Sequence, residues 1–352
     1  MFKVGDVKEI ALDDGSVKPL KMKTLSLKPL MFEIPNFLSA DECAHYIKVA
    51  KEVGLEESLT ISPEIALQRF RLMDINQDKL LSMEEMMLTI QGAMDVFLDK
   101  EDVLKMYNET NFDQNHDGSI NEEESKQFTP ADMRTYVEDL VKDSPEKRSR
   151  YSEEVWLTDE NSVEDTIFQS LKERIAKVTQ LAPQIIKRSD FQVLKYDIKG
   201  HYNVHYDSSQ KLNIAKYPCC KHRGEKGCRY CRFMTVMVYL NDVEKGGETA
   251  FIVAGNETVD HKYIFLNQMT NVYKECDAAM LKVKPELGKM VMWYNHLVDQ
   301  DTNWIGELDE NSLHGGCGVT KGEKWIGNFW ITVSDEVEKD LDSVVETTKD
   351  EL

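Results

Sequence analysis

The sequence predicts an α+β protein: an antiparallel barrel or jelly roll drawn mostly from the second half of the chain, with an all-helical module inserted toward its front. Beyond residue 190, four stretches rich in β-branched and aromatic residues are bounded by Gly, Asn or Asp, as half-buried antiparallel strands require. Residues 60–147, by contrast, have helical texture and no strand-like alternation. Charge divides the same way: segment 56–165 holds 28 acids and 11 bases, while 166–333 holds 19 acids and 22 bases. A chain of 352 residues that is 41% hydrophobic can bury a sizeable core, and its net charge of -20 argues against a polyanionic partner such as nucleic acid.

Taken in order, residues 1–58 predict a strand and a helix of the larger domain. Leu30 to Leu38 is β-prone and broken by Pro35. Ser39-x-x-Glu42 is a capping-box pattern ahead of Ala44, Ile47, Ala50 and Val53, with Gly54 as the stop. Residues 59–147 form the acidic helical module. In 148–335, a helix through Ile167, Leu171, Ile175 and Val178 halts near Pro183, and strands follow at Phe191–His205, Phe233–Leu240, Lys289–Tyr294 and Trp325–Val333. Residues 336–352 read as an acidic, solvated tail.

Within the helical module, Asp74-x-Asn76-x-Asp78-Lys79-Leu80-x-Ser82-x-x-Glu85 and Asp113-x-Asn115-x-Asp117-Gly118-Ser119-x-Asn121-x-x-Glu124 both fit the twelve-residue EF-hand loop. A hard cation such as Ca2+ takes side-chain oxygens from positions 1, 3, 5 and 9, a backbone carbonyl from position 7 (Leu80, Ser119) and a bidentate Glu at position 12. Leu81 and Ile120, at position 8, are expected to pair the loops through a short β-bridge. Lys79 stands where the sharp turn ordinarily takes Gly, so the first loop is expected to bind more weakly. Met83, Met86, Met87 and Met94 are expected to fill the core between the hands.

Of the eight histidines only His205 has an Asp at i+2, Asp207, and such residues on a strand share a face. With His314, 109 residues further on, they compose a two-His, one-carboxylate set suited to Fe(II), which leaves open positions for a co-substrate and O2. Lys324 follows His314 at +10 and can anchor the distal carboxylate of 2-oxoglutarate, with Tyr196 supplying a second hydrogen bond. Tyr202, Tyr206, Trp293 and Trp330 are the aromatics expected at the barrel mouth, as core or as substrate contacts.

The stretches Phe191-Gln-Val-Leu-Lys-Tyr196, Gly200-His-Tyr-Asn-Val-His205-Tyr-Asp207, Gly246-Gly-Glu-Thr-Ala-Phe251, Val283-Lys-Pro-Glu-Leu-Gly288, Trp293-Tyr-Asn295 and His314…Lys324-Trp325-Ile326 resemble the prolyl 4-hydroxylase branch of the 2-oxoglutarate dioxygenases. Phe37-Leu38…Glu42-Cys43 and Arg148-Ser-Arg-Tyr-Ser152…Trp156-Leu157 extend the likeness to both sides of the acidic module. Within that branch the chain looks most like the membrane-anchored, EF-hand-bearing form of the endoplasmic reticulum. The resemblance implies a double-stranded β-helix, iron at His205, Asp207 and His314, and the 2-oxoglutarate carboxylate at Lys324 and Tyr196. It also implies ascorbate as a cofactor and a proline-containing peptide or protein as partner and substrate. Another residue type, a collagen-like peptide, or a luminal calcium binder without catalysis are the rival readings.

Of the seven cysteines, Cys219, Cys220, Cys228 and Cys231 cluster with His222 and suit either zinc or, in an oxidising lumen, one or two disulfides, the expected use. Cys317, beside His314, is expected in a disulfide with a partner the sequence does not name. No stretch reaches the roughly 18 apolar residues of a membrane helix, so membrane attachment is expected only through an anchor outside this chain. Lys349-Asp350-Glu351-Leu352 is the retrieval address of the endoplasmic reticulum lumen, and the sequons at Asn108 and Asn256 agree with glycosylation there.

Overall fold

A computed structural model describes residues 3–12, 18–58, 70–127, 129–158, 165–187, 189–208, 231–298 and 305–333. Two antiparallel sheets dominate. The larger runs, edge to edge, through Val7–Ile10, Leu20–Leu27, Leu30–Ile34, Met290–Tyr294, Cys231–Tyr239, Lys324–Val333, Phe191–Tyr196, Glu153–Leu157 and Glu56–Glu57. The smaller runs through Leu281–Val283, Thr249–Phe251, His314–Gly316, His201–His205 and Arg150–Tyr151.

Strand alternation explains how one sheet serves two cores. Val193, Val236, Val238, Phe329 and Ile331 face an outer core, where the helices Ala40–Val53 and Thr166–Thr179 pack Cys43, Tyr46, Phe168, Leu171 and Ile175 against them. The intervening Leu194, Tyr196, Met237, Tyr239 and Ile326 face inward, toward Phe251 and Val283 of the smaller sheet. Arg174 locks the two helices together by pairing with Glu42 at 2.7 Å and donating to the Phe37 carbonyl at 2.6 Å.

The capping box is present: Glu42 N–H donates to Ser39 Oγ at 3.2 Å and Ser39 N–H to the Glu42 carboxylate at 2.7 Å, and the helix ends at Gly54. Two expectations need correction. Phe191–His205 is two strands, because a turn with Lys199 at φ 70 and Gly200 N–H bonded to the Asp197 carbonyl carries the chain from the larger sheet to the smaller. The helix predicted to halt near Pro183 ends earlier, at Thr179 with Gln180 left-handed, and Pro183 opens the short helix Pro183–Lys187, the position where its missing N–H costs nothing.

Between Glu57 and Arg148 the described α-helices are Phe70–Met73, Met83–Met94, Lys100–Thr110, Glu122–Ser125 and Pro130–Asp143. They enclose a core of their own, including Leu81, Met86, Ile90, Met94, Met106, Tyr107, Ile120 and Val137. Met86 and Met94 are fully part of it, whereas Met83 and Met87 pack at its margin. The segments at Leu80–Leu81 and Ile120–Asn121 pair antiparallel, Leu81 opposite Ile120.

Candidate active site

His205 closes the strand His201–His205, and its antiparallel register sets it opposite His314, the first residue of His314–Gly316. Cross-strand neighbours of this kind have side chains close together on one face, and the two imidazole centroids lie 4.6 Å apart. Asp207 lies beyond the strand, in a bend, so the same-face argument for i and i+2 does not place it. The curl of the chain does, setting its carboxylate 3.7 Å from His205 Nε2 and 3.6 Å from His314 Nε2. One ligand atom from each of the three lies within 4.8 Å of the others.

The protonation pattern suits a cation. His205 Nδ1 meets the Asn203 carbonyl at 2.9 Å and His314 Nδ1 the Ser312 carbonyl at 2.8 Å. A carbonyl only accepts, so each Nδ1 carries hydrogen, and Nε2, which faces Asp207, is the nitrogen left to ligate a metal, as in metal-ligating histidines. Burial works to raise the Asp207 carboxyl, but His314 and His205 beside it outweigh burial and hold it well below the usual carboxylate range. Two imidazole nitrogens and one carboxylate oxygen form a donor set that accepts a divalent transition metal.

These groups line a cavity of about 250 Å³ together with Arg150, Tyr196, Tyr202, Arg232, Trp293, Lys324, Asn328 and Trp330. Lys324 begins its strand at 2% exposure. No carboxylate pairs with it among the described residues, and burial brings it down to about 7, offset in part by Glu248. Its Nζ stands 5.2 Å from the Tyr196 ring and 5.8 Å from the Tyr239 ring. A buried ammonium left without a counter-charge is costly, and the cost is removed when an anion enters. Burial pushes Tyr196 up to about 12, so its hydroxyl keeps its hydrogen for donation.

Of the four aromatics, Tyr202, Trp293 and Trp330 line the cavity; Tyr206 turns away and donates to the Glu310 carbonyl at 3.1 Å. Tyr202 stacks on His205 at 3.7 Å, and Arg232 lies 3.8 Å over the Trp330 ring. Arg150 and Arg232, which line the cavity, and Thr235 and Asn295, which reach Asp207 by hydrogen bonds, are functional candidates that sequence reasoning missed, because no motif marks which polar residues the fold turns toward the site. Cys317 is bridged to Cys276, fastening the segment after His314 to the 3-10 turn Cys276–Ala278. Cys231 is also disulfide-bonded, and Cys43 is free and buried. Cys219, Cys220, His222 and Cys228 lie outside the described residues, as does the terminal Lys-Asp-Glu-Leu.

The two acidic loops carry matching hydrogen bonds. Glu85 accepts from the Ile75 and Asn76 N–H groups, Glu124 from those of Gln114 and Asn115. Asp74 accepts from Asp78 and Lys79, and Asp113 from Asp117 and Gly118. Asn76, Asp78 and Ser82 in one loop correspond to Asn115, Asp117 and Asn121 in the other. Lys79 adopts φ 70 where Gly118 adopts φ 82.

Residues 191–332, the stretch that carries His205, Asp207, His314 and Lys324, match the family model of the 2OG-Fe(II) oxygenase superfamily. More particularly, the chain is 35% identical over 332 residues to transmembrane prolyl 4-hydroxylase of Mus musculus and equally to that of Homo sapiens. Each match covers 89% of this chain and 65% of the relative, so the chain spans less than two thirds of their length. A solved structure of the viral collagen prolyl hydroxylase of Paramecium Bursaria Chlorella virus-1 with 2OG is 18% identical, at a TM-score of 0.41, over 86% of this chain and 96% of that one. No helix among the described residues is long and apolar enough to cross a membrane.

Proposed function

We propose that this protein is a prolyl 4-hydroxylase: an Fe(II)/2-oxoglutarate-dependent dioxygenase that converts peptidyl-proline to 4-hydroxyproline, with succinate and CO2 as the other products. The observation that carries the reading is the meeting of His205, Asp207 and His314 in a cavity whose wall holds Lys324 buried, with no carboxylate paired to it among the described residues. His205, Asp207 and His314 would hold the iron, and Lys324 with Tyr196 the distal carboxylate of 2-oxoglutarate. Iron with O2 and 2-oxoglutarate supplies the oxidising power, and ascorbate keeps the metal ferrous.

This chain's own residues bind and orient. The backbone carbonyls at Nδ1 fix both imidazoles with Nε2 as the ligating nitrogen. Asp207 stays ionised because the imidazoles beside it outweigh its burial. The ammonium of Lys324 recognises a carboxylate that would otherwise remain in water, and Tyr202, Trp293 and Trp330 wall the reacting space. The test is to supply proline-bearing peptides with iron, ascorbate and 2-oxoglutarate and locate added oxygen by mass spectrometry. Oxygen on the proline ring is expected; oxygen on another residue type overturns the substrate assignment and leaves the chemistry standing.

The helical module, residues 59–147 inserted between 1–58 and 148–335, we read as an EF-hand pair. Calcium would be held by Asp74, Asn76, Asp78, Leu80, Ser82 and Glu85 in the first loop and by Asp113, Asn115, Asp117, Ser119, Asn121 and Glu124 in the second. The module touches the oxygenase domain close to the ligand-bearing strand: Gln91 donates to Thr270 Oγ1 at 3.2 Å, and the Thr270 carbonyl accepts from Val204 N–H at 2.9 Å. Calcium thereby modulates substrate turnover. Activity with calcium chelated and iron supplied is expected to fall; an unchanged rate and substrate affinity reduces the hands to structural support. Residence in the endoplasmic reticulum lumen, with glycosylation at Asn108 and Asn256, is proposed from the sequence signals.

A further inference from the structure

Asp207 sits past the end of its strand, so its carboxylate needs other groups to hold it. Thr235 Oγ1 donates to Asp207 Oδ2 at 2.7 Å. Thr235 in turn lies 2.9 Å from Asn295 Nδ2, and the same nitrogen is 3.1 Å from the Arg232 carbonyl. Because a carbonyl only accepts, the Asn295 atom facing Arg232 is the NH2 group, and that group therefore also donates to Thr235. With its lone pair engaged in this way, the Thr235 hydroxyl directs its hydrogen at the carboxylate. Asn295 is 0% exposed, Thr235 1% and Asp207 3%, so bulk water cannot stand in for any member of the chain.

The next residue along each of the two segments repeats the pattern. Ser208 Oγ lies 2.7 Å from His296 Nε2, and His296 Nδ1 lies 3.1 Å from the Gly306 carbonyl. The same rule puts hydrogen on Nδ1, so Nε2 accepts from Ser208. Neighbouring residues Asn295 and His296 thus secure neighbouring residues Asp207 and Ser208, one by way of Thr235 and one directly.

Resting on the iron reading above, we propose that Asn295 and Thr235 are positioning residues for the metal: they hold Oδ2 of Asp207 in a directed hydrogen bond and thereby set the orientation in which the carboxylate meets His205 and His314. Neither touches a reacting atom. Outer partners of metal ligands typically change metal affinity roughly 10–100-fold when removed.

The test compares Thr235→Val, which removes the hydroxyl at nearly constant shape, with Thr235→Ser, which keeps it. Co(II) is titrated into the full chain under anaerobic conditions and followed by its visible absorption, with near-ultraviolet circular dichroism to confirm folding. Thr235→Val is expected to weaken Co(II) binding about 10–100-fold, with Thr235→Ser restoring most of the loss. In the turnover assay, 2-oxoglutarate consumed without peptide hydroxylation should rise in Thr235→Val and not in Thr235→Ser. A folded Thr235→Val that binds Co(II) as tightly as the parent overturns the proposal, as does a Thr235→Ser as weak as the valine variant. If Thr235→Val does not fold, Asn295→Ala decides, because it keeps the hydroxyl but frees its direction: weaker Co(II) binding supports the proposal and unchanged binding refutes it. A parent protein that binds no Co(II) sinks the iron reading itself, which separates the two failures.

Discussion

In the cavity of the two-sheet body, Asp207 is buried at 3% exposure between two imidazoles, one 107 residues further along the chain and one just two residues before it. In the helical module, Asp74, Glu85, Asp113 and Glu124 are buried to a similar degree, between 3% and 8%, against backbone N–H groups of their own twelve-residue loops. Both regions concentrate acid oxygens, yet one assembles them by sheet pairing and the other by local turns. A long-range site is lost when any sheet contact fails, because its ligands share no segment. A local loop tolerates distant change, and its strength is set by single backbone positions such as Lys79 and Gly118.

The sharpest way to break that contrast is His205→Ala. Turnover, measured as succinate released, is expected to fall by more than the roughly 100-fold typical of an outer partner, while calcium titration stays as in the parent. Equal loss of both would mean the variant had unfolded rather than lost one site.

Lys324→Ala comes next. A hydrogen bond to a charged group contributes about 1.5–3 kcal/mol, so the dissociation constant for 2-oxoglutarate, measured calorimetrically on the metal-loaded protein, should rise about 10–150-fold with metal affinity little changed. The same residue sets a pH signature. Lys324 must carry its proton to attract a carboxylate, and in the ligand-free site it loses that proton above about 7. Above that pH, binding is therefore expected to take up a proton, and the apparent dissociation constant should rise about tenfold per pH unit. Calorimetry in buffers of different ionisation enthalpy reads the uptake; a pH-independent constant between 7 and 9 contradicts the assignment.

Opening the Cys276–Cys317 bridge by Cys276→Ser tests how far the pocket depends on long-range fastening. A loss of about 2–4 kcal/mol of stability is expected, read as a lower midpoint in chemical denaturation, with metal binding weakened because the bridge adjoins the His314 strand. The smallest effect belongs to the loops. Lys79→Gly relieves a left-handed non-Gly residue, about 1–2 kcal/mol, and should strengthen calcium binding at the first loop about tenfold; no change in calcium titration would show that Lys79 is accommodated without strain.

How much of this could be read beforehand follows the same division. The acidic loops were legible because twelve contiguous residues specify oxygen donors, turn and β-bridge together. The capping box at Ser39 and Glu42 was legible for the same reason. His205 and Asp207 stand out as a spacing, but the same-face argument fails because the strand ends at His205, and the curl at 206–208 depends on contacts with Thr235 and Ser208's partner His296 rather than on local preference. The single strand predicted from Phe191 to His205 failed because nothing in its apolar texture marks the change of sheet at Lys199 and Gly200.

The sequence by itself determined the residue types: two histidines, an aspartate and a lysine with the chemistry for a metal and an anion, and two runs of oxygen donors at a cation's spacing. Such information is local, carried by side-chain chemistry and by short-range backbone geometry. Only the tertiary structure decided that His314 lies across the sheet from His205, that Lys324 is buried with no paired carboxylate among the described residues, that Cys276 is the partner of Cys317, and that Asn295 reaches Asp207 through Thr235. Those relations depend on strand register and on which face of a sheet is enclosed. Both are settled by packing between segments far apart in the chain, where a shift of one residue would turn every side chain to the opposite face.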